Sequence, residues 1–188
     1  MLGTLSELDA INIILSSVGS DPVNSLDDEA DVDMANAKNL LEQTSRNIQR
    51  KGWDFNTYNY TMKPDVYTKK ILWDNRIIKF KSSDGNTYAK RGNYVYDMTN
   101  QTFEFENDIV LTAILALDFE DLPDCFKNYI AARAAIDFQA RYFGDQQVSQ
   151  DLQYNMQEAY QDIVQYDMDM GSYNMLNLTN VSSVLERT

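Results

Sequence analysis

The spacing of apolar residues changes twice along this chain, and that double change restricts its fold more than any other feature. Up to Gly52 apolar side chains recur every three or four positions. From Trp53 to Phe119 they alternate in short tyrosine-rich runs, and beyond Pro123 the helical spacing returns. A repeat near 3.6 fits one stripe of a helix, whereas a repeat of two fits one face of a strand. The 188 residues suffice for one sizeable core with a smaller unit attached. The expected fold is therefore α+β: a four-helix bundle with an antiparallel β-sheet inserted between helices 2 and 3, plus an extended C-terminal tail. The expected parts are 1–52 and 120–170 for the helices, 53–119 for the sheet and 171–188 for the tail.

In the first helix, Thr4 with Glu7 predicts a capping box, and Leu5, Leu8, Ile11, Leu15 and Val18 form the stripe. Gly19 and Pro22 end it. The second carries Met34, Ala37, Leu41, Thr44 and Ile48 and closes at Gly52. The acids before it, Asp27, Asp28, Glu29, Asp31 and Asp33, lack the glycine and terminal Glu spacing of a calcium loop, and suit the positive end of a helix dipole. The third begins at Pro123, with Asp121 available as a cap. It is apolar on two sides, Phe126, Ile130, Ala134, Phe138 and Tyr142 on one and Tyr129, Ile136, Ala140 and Phe143 on the other. Such a helix is central in a bundle or shared with a neighbouring subunit, which makes Tyr129, Ile136 and Phe143 candidate subunit contacts. The fourth, from about Asp145 to Met170, has Val148, Leu152, Met156, Ala159, Ile163, Tyr166 and Met170 on its apolar side. The short Gly144 junction predicts an antiparallel pair with the third.

Between the helices, "ILWDNRIIKFK" reads as two strands about Asp74-Asn75, and "SSDGN" as a turn. "TYAKRGNYVYDMTNQTFEF" reads as three strands with turns at Gly92-Asn93 and Thr99-Asn100, and "DIVLTAILALDF" as the most buried strand. Trp53, Phe55, Tyr58 and Tyr60, like Tyr94 and Tyr96, suit either stacking on a ligand or filling the sheet–helix interface, with packing the favoured reading. Tyr94 and Tyr96, on a hairpin, are also candidate docking residues.

After Gly171 the chain continues to present Tyr173, Met175, Leu176, Leu178, Val181, Val184 and Leu185. Burying these seven contributes about 1.5–3 kcal/mol each. Ordering every residue of the tail costs about 1–2 kcal/mol apiece. The two sums are comparable, so the tail is expected to order on a partner rather than alone.

There is no histidine, which removes Ser-His and Cys-His catalysis and histidine metal sites. Cys125 stands alone, so neither an intramolecular disulfide nor a cysteine-rich zinc site can form, and the residue suits a small core position. No phosphate-binding or nucleophile-elbow motif occurs, and no cofactor is expected. Paired acids such as Asp167 with Asp169, or Glu104 with Glu106, leave a carbohydrate- or peptidoglycan-cleaving enzyme as the alternative, though 29 acids produce such pairs by chance. A net charge of −13 opposes tight binding to nucleic acid phosphates, yet it lets DNA slide past. A decoy that mimics DNA would need the acids aligned on one face, and they are spread instead. Apolar stretches are too short for a membrane span, and the N-terminus has no signal-like pattern, so a soluble protein is expected.

The strings "ELDAINIILSSVGSDPV", "NIQRKGWDFN", "RGNYVYDMT", "DLPDCFKNYIAARAAIDFQARYFG" and "YDMDMGSYNML", in this order, resemble tail tubular protein A, the head-to-tail adaptor or gatekeeper of short-tailed bacteriophages. The resemblance runs from about Glu7 to Leu176. It implies a structural protein assembled in the host cytoplasm and residing in the virion at the head–tail junction. The implied assembly is a twelve-copy ring between the portal and the tail nozzle, tubular protein B. DNA would cross the ring unbound, and tail fibres would attach near the nozzle junction.

Overall fold

The computed structural model describes residues 3–27, 31–142 and 146–171, and side chains from residue 150 onward in the last segment. It is mixed helix and sheet, with four α-helices and small antiparallel sheets. The chain divides into two compact units, one formed by Met1–Thr44 with Phe119–Thr188 and the other by Ser45–Asp118.

In the first unit, α1 spans Glu7–Ser16 and buries Ala10, Ile11, Ile14 and Leu15. Its cap differs from the expected Thr4–Glu7 pair. The Asp9 N–H donates to Ser6 Oγ at 3.1 Å, and the Ser6 N–H donates to the Asp9 carboxylate at 3.3 Å. The box therefore sits two residues later, because the Ser6 hydroxyl meets the free N–H groups of the first turn. Gly19, at φ +76°, ends the helix as expected. Its N–H bonds the Ser16 carbonyl and that of Ser20 the Leu15 carbonyl, which is Schellman pairing.

Asp31 caps α2 (Val32–Gln49) by accepting from the Asp33 and Met34 N–H groups. That accounts for one of the acids in this region; Asp28 and Glu29 lie outside the described residues. Met34, Ala37, Leu40, Leu41, Thr44 and Ile48 are buried along it. The unit boundary falls within this helix, after Thr44.

α3 spans Asp124–Tyr142 and α4 Gln146–Met170. Asp121 is not the α3 cap. It lies in the preceding 3-10 turn, Phe119–Asp121, and the Pro123 carbonyl accepts from Phe126 and Lys127. Phe126 meets Tyr166, Tyr129 meets Tyr160, and Arg133 reaches Met156, so α3 and α4 run antiparallel. Of the expected α4 stripe, Ile163 is fully buried, Leu152, Met156, Ala159 and Tyr166 are half-buried, and Met170 is exposed. One buried cation was not foreseen. Lys127 is 2% exposed, with Nζ 3.4 Å from Glu120 Oε2. Glu120 Oε1 also accepts the Glu7 N–H at 2.8 Å, so this carboxylate ties the start of α1 to α3.

In the second unit, β1 (Thr57–Met62), β5 (Ile109–Leu115) and β2 (Ile77–Ser82) form an antiparallel sheet in the order β1-β5-β2. The strand expected to be most buried is its centre, opposing Tyr60 to Leu111 on one side and Phe80 to Ala113 on the other. β3 (Tyr88–Arg91) and β4 (Tyr94–Asp97) form a second sheet around the Gly92-Asn93 turn. Two sequence expectations fail here. Residues 71–73 do not form a hairpin with β2. Asp74 turns the chain by accepting the Arg76 N–H, and Leu72 instead bridges Tyr94. The third strand, near Thr102–Glu104, consists of isolated bridges. A single cluster that includes Ile71, Ile77, Tyr88, Val95, Phe105 and Leu111 underlies both sheets.

Two predictions follow from local geometry. Gly52 takes φ +82°, and a Cβ there would lie 2.6 Å from Ile114 Cδ1. Gly52→Ala is expected to destabilise the chain by about 1–3 kcal/mol. Adding Ile114→Val should make the Gly52→Ala step cheaper but not free, because the backbone strain remains, and denaturant melts of the four chains in the cycle measure this.

The second concerns the "SSDGN" turn. Asp84 accepts from the Ser82 and Tyr88 hydroxyls, which together hold its carboxyl near a pKa of about 2, below the ordinary 3.8. Burial, followed by the bond to Asp84, pushes the Tyr88 phenol up to about 12. The Asp84 contribution is present above the ordinary value and is lost as pH falls through about 2. Asp84→Asn should flatten the loss of stability across that window in thermal melts; an equally steep loss would assign it to other carboxylates.

Candidate interaction surfaces

On the β3–β4 sheet the pleat sends Val95 and Asp97 inward and Tyr94 and Tyr96 outward, in the burial pattern exposed, buried, half-buried, buried. Arg91 opposes Tyr94 and Ala89 opposes Tyr96 on the same outer face. The Arg91 guanidinium lies 3.7 Å from the Tyr96 ring centroid, and Phe103 meets the other edge of Tyr96 with ring centroids 4.8 Å apart. Through its bridge to Tyr94, Leu72 joins this face at 66% exposure, and Lys70 Nζ sits 5.5 Å from the Tyr94 ring centroid. The face is therefore a patch of aromatic and apolar groups carrying two cations. Of its members, Tyr94 and Tyr96 were legible from alternation. Leu72 and Phe103 were read as ordinary strand residues, and only the bridges Leu72–Tyr94 and Asp97–Thr102 bring them here.

A cleft of about 550 Å³ is lined by Tyr60, Ile71, Leu72, Trp73, Asp74 and neighbouring residues. Its polar groups are already engaged. The Tyr60 hydroxyl donates to Asp74 Oδ2 at 2.6 Å, and Arg76 Nη2 lies 2.8 Å from the same oxygen. Arg76 first and Tyr60 after it hold the Asp74 carboxyl well below the usual carboxylate range, while the bond to Asp74 raises the Tyr60 phenol. These groups form a structural clasp between β1 and the Asp74 turn rather than a pair of catalytic acids.

A second cleft, about 360 Å³, includes Asp84, Asp97, Glu104, Glu106 and Asp108. Asp97 is buried and accepts from the Thr99 and Asn100 N–H groups. Among the described residues no group of three or more Cys, Asp or Glu is placed to hold a metal ion. Trp53 and Tyr58 also satisfy their polar groups locally, on the carbonyls of Ile48 and Phe55. Cys125 is half-buried, and burial raises its thiol pKa.

The helical candidates separate. Tyr129 is 8% exposed and packs on Tyr160 within the same chain, so most of its ring is already covered. Ile136 is half-buried, Ala140 is exposed, and Tyr142 is 50% exposed. Phe143 and the tail residues Tyr173, Met175, Leu176, Leu178, Val181, Val184 and Leu185 lie outside the described residues. No described helix is long and apolar enough to cross a membrane.

The units differ in charge. Residues 45–118 carry eleven Lys and Arg against nine Asp and Glu, whereas the rest of the chain carries five against twenty. The net charge of −13 is thus a property of the helical unit.

A protein-family model described as tail tubular protein matches residues 8–173. Tail tubular protein A of Klebsiella phage KP34 is 28% identical over 134 residues, which is 68% of this chain and 68% of that protein. The match spans both units, from the start of α1 to just beyond α4. The chain belongs to the tail tubular protein family, structural components of phage tails rather than enzymes.

Proposed function

We propose that this protein is the head-to-tail adaptor of a short-tailed phage. Copies form a ring, of twelve by family resemblance, between the portal and the nozzle built by tubular protein B. The observation that carries the reading is the family match across both units of an acidic, histidine-free chain. The ring is a conduit in which an excess of carboxylates repels the phosphate backbone, so DNA crosses during ejection without adhering. The four helices associate as a bundle with the β unit as its insertion, and the ring offers tail fibres a platform at the nozzle junction. Assembly takes place in the host cytoplasm, before the particle is complete.

In this reading the tail is a C-terminal extension that orders on the portal or on an adjacent adaptor. The family match ends at residue 173, where most of the tail's apolar residues still lie ahead. Ile136, Phe143 and the exposed part of α3 near Tyr142 are the proposed lateral contacts, together with whatever edge of Tyr129 remains uncovered.

Mixing the purified chain with its portal should give rings in negative-stain images, and absence of rings on the portal would defeat the adaptor reading. Removing residues 172–188 should weaken portal docking at least tenfold in a binding titration, about 1.4 kcal/mol or more. Unchanged affinity would show that the tail has no part in docking.

A further inference from the structure

We propose that the outer face of the β3–β4 sheet docks against the outer face of α4 in a second copy of this chain. The inference rests on the ring reading and names a further pair of surfaces, beside the α3 contacts, that would join adjacent copies.

The sheet supplies Arg91 and Lys70, each lying over an exposed or half-buried tyrosine, with Leu72 and Phe103 beside them. Among the described residues neither cation is in an ion pair, unlike Lys63, Lys69, Arg76, Lys127 and Arg133. Held over the Tyr96 ring, the Arg91 guanidinium keeps its N–H edges for an incoming carboxylate.

α4 is the complementary surface. Between Gln146 and Met170 it has five acids and no Lys or Arg. Asp151, Tyr154, Glu158 and Asp162 follow one another at helical spacing on its exposed side, with Tyr154 at 64% exposure. Asp151, Glu158 and Asp162 take part in no ion pair among the described residues.

Dimensions agree as well. The bridge and the β3–β4 ladder set Leu72, Tyr94 and Arg91 side by side, so the segment carrying Lys70 and the strand carrying Arg91 are two strand spacings apart, roughly 10 Å. Asp151 and Glu158 are two helical turns apart, also roughly 10 Å. The occupant is a second copy because every copy offers both surfaces, and two different complementary surfaces on one chain join copies head to tail, into a ring where the rotation closes. Duplex DNA fits less well. The sheet's unit is only two charges positive, and Glu104 lies opposite Lys70 in the bridge.

The test is charge exchange in the full-length chain, read by sedimentation velocity at tens of micromolar protein. Lys70→Glu with Arg91→Glu should weaken self-association at least tenfold, and so should Glu158→Lys with Asp162→Lys. An equimolar mixture of the two variants should recover association, because each reversed face then meets its complement. A chain carrying all four substitutions should also recover it, and recovery shows that the variants fold.

Wild-type association that survives both reversals would overturn the pairing while leaving the ring intact. Loss without recovery in the mixture or in the fourfold variant would show that the two faces do not meet each other and would overturn the pairing. A wild-type chain that stays monomeric at these concentrations would also overturn the pairing. The ring reading is decided separately by the images on the portal.

Discussion

Two buried side-chain amides hold the place where helix turns into sheet, and the architecture of the second unit depends on them. Gln49, 1% exposed at the end of α2, pairs with Leu117 as a strand neighbour would, accepting its N–H at 2.8 Å and donating to its carbonyl at 3.0 Å. Asn56, fully buried, donates to the Gln49 and Leu115 carbonyls and accepts the Trp53 N–H. These bonds occupy backbone groups at element ends, and the Gln49 carbonyl accepts the Gly52 N–H as well. Together they join the end of α2, the Asp54–Asn56 turn and the exit of β5, around the positive φ of Gly52. With that corner in place, β5 can serve as the central strand and the bridges at Lys70 and Leu72 can couple the second sheet to the same core.

The helical unit has its own clasp, the Glu120 carboxylate shared between Lys127 and the Glu7 N–H. A buried ammonium is tolerable only with such a partner, and Glu120 provides it from a largely exposed position. Polar fastening therefore sits at the junctions of elements, whereas Phe126, Phe138, Ile130 and Ile163 provide the apolar burial between them. This arrangement leaves outer surfaces free to differ in chemistry. One unit is slightly positive, and the other carries all of the acid excess. That asymmetry gives a tail protein two units of different charge to offer other virion proteins.

Wherever one residue spacing persisted over many positions, it was readable. The four helices, the two glycine stops at Gly19 and Gly52, and β5 as the buried strand follow from periodicity and from backbone freedom that only glycine has. The strand expected at Ile71–Trp73 was misplaced because a short apolar run does not reveal its partner. Leu72 pairs with Tyr94, and the Asp74 turn diverts the chain. The burial of Lys127 and of Gln139, which is 1% exposed on α3, was invisible for a related reason. A polar residue on a helix is assigned to solvent unless a partner distant in sequence is known. For Lys127 the partner is Glu120, only seven residues back on the preceding turn, and Glu120 is itself held by the Glu7 N–H, which is distant in sequence. The outer face of β3 and β4 was half legible. Alternation exposed Tyr94 and Tyr96, but Leu72, Arg91 and Phe103 gather around them only through pairing between segments.

By itself the sequence determined the α+β class, the order of the helices about the strands, the exclusion of histidine chemistry and the acidic balance, because each depends on residue type or on local spacing. Tertiary structure alone decided that the strands form two sheets over one core, that Tyr129 is largely covered by α4, and that a cationic aromatic face lies outward from β3 and β4. Those outcomes depend on which distant segments supply partners for buried backbone groups, and no local pattern encodes that choice.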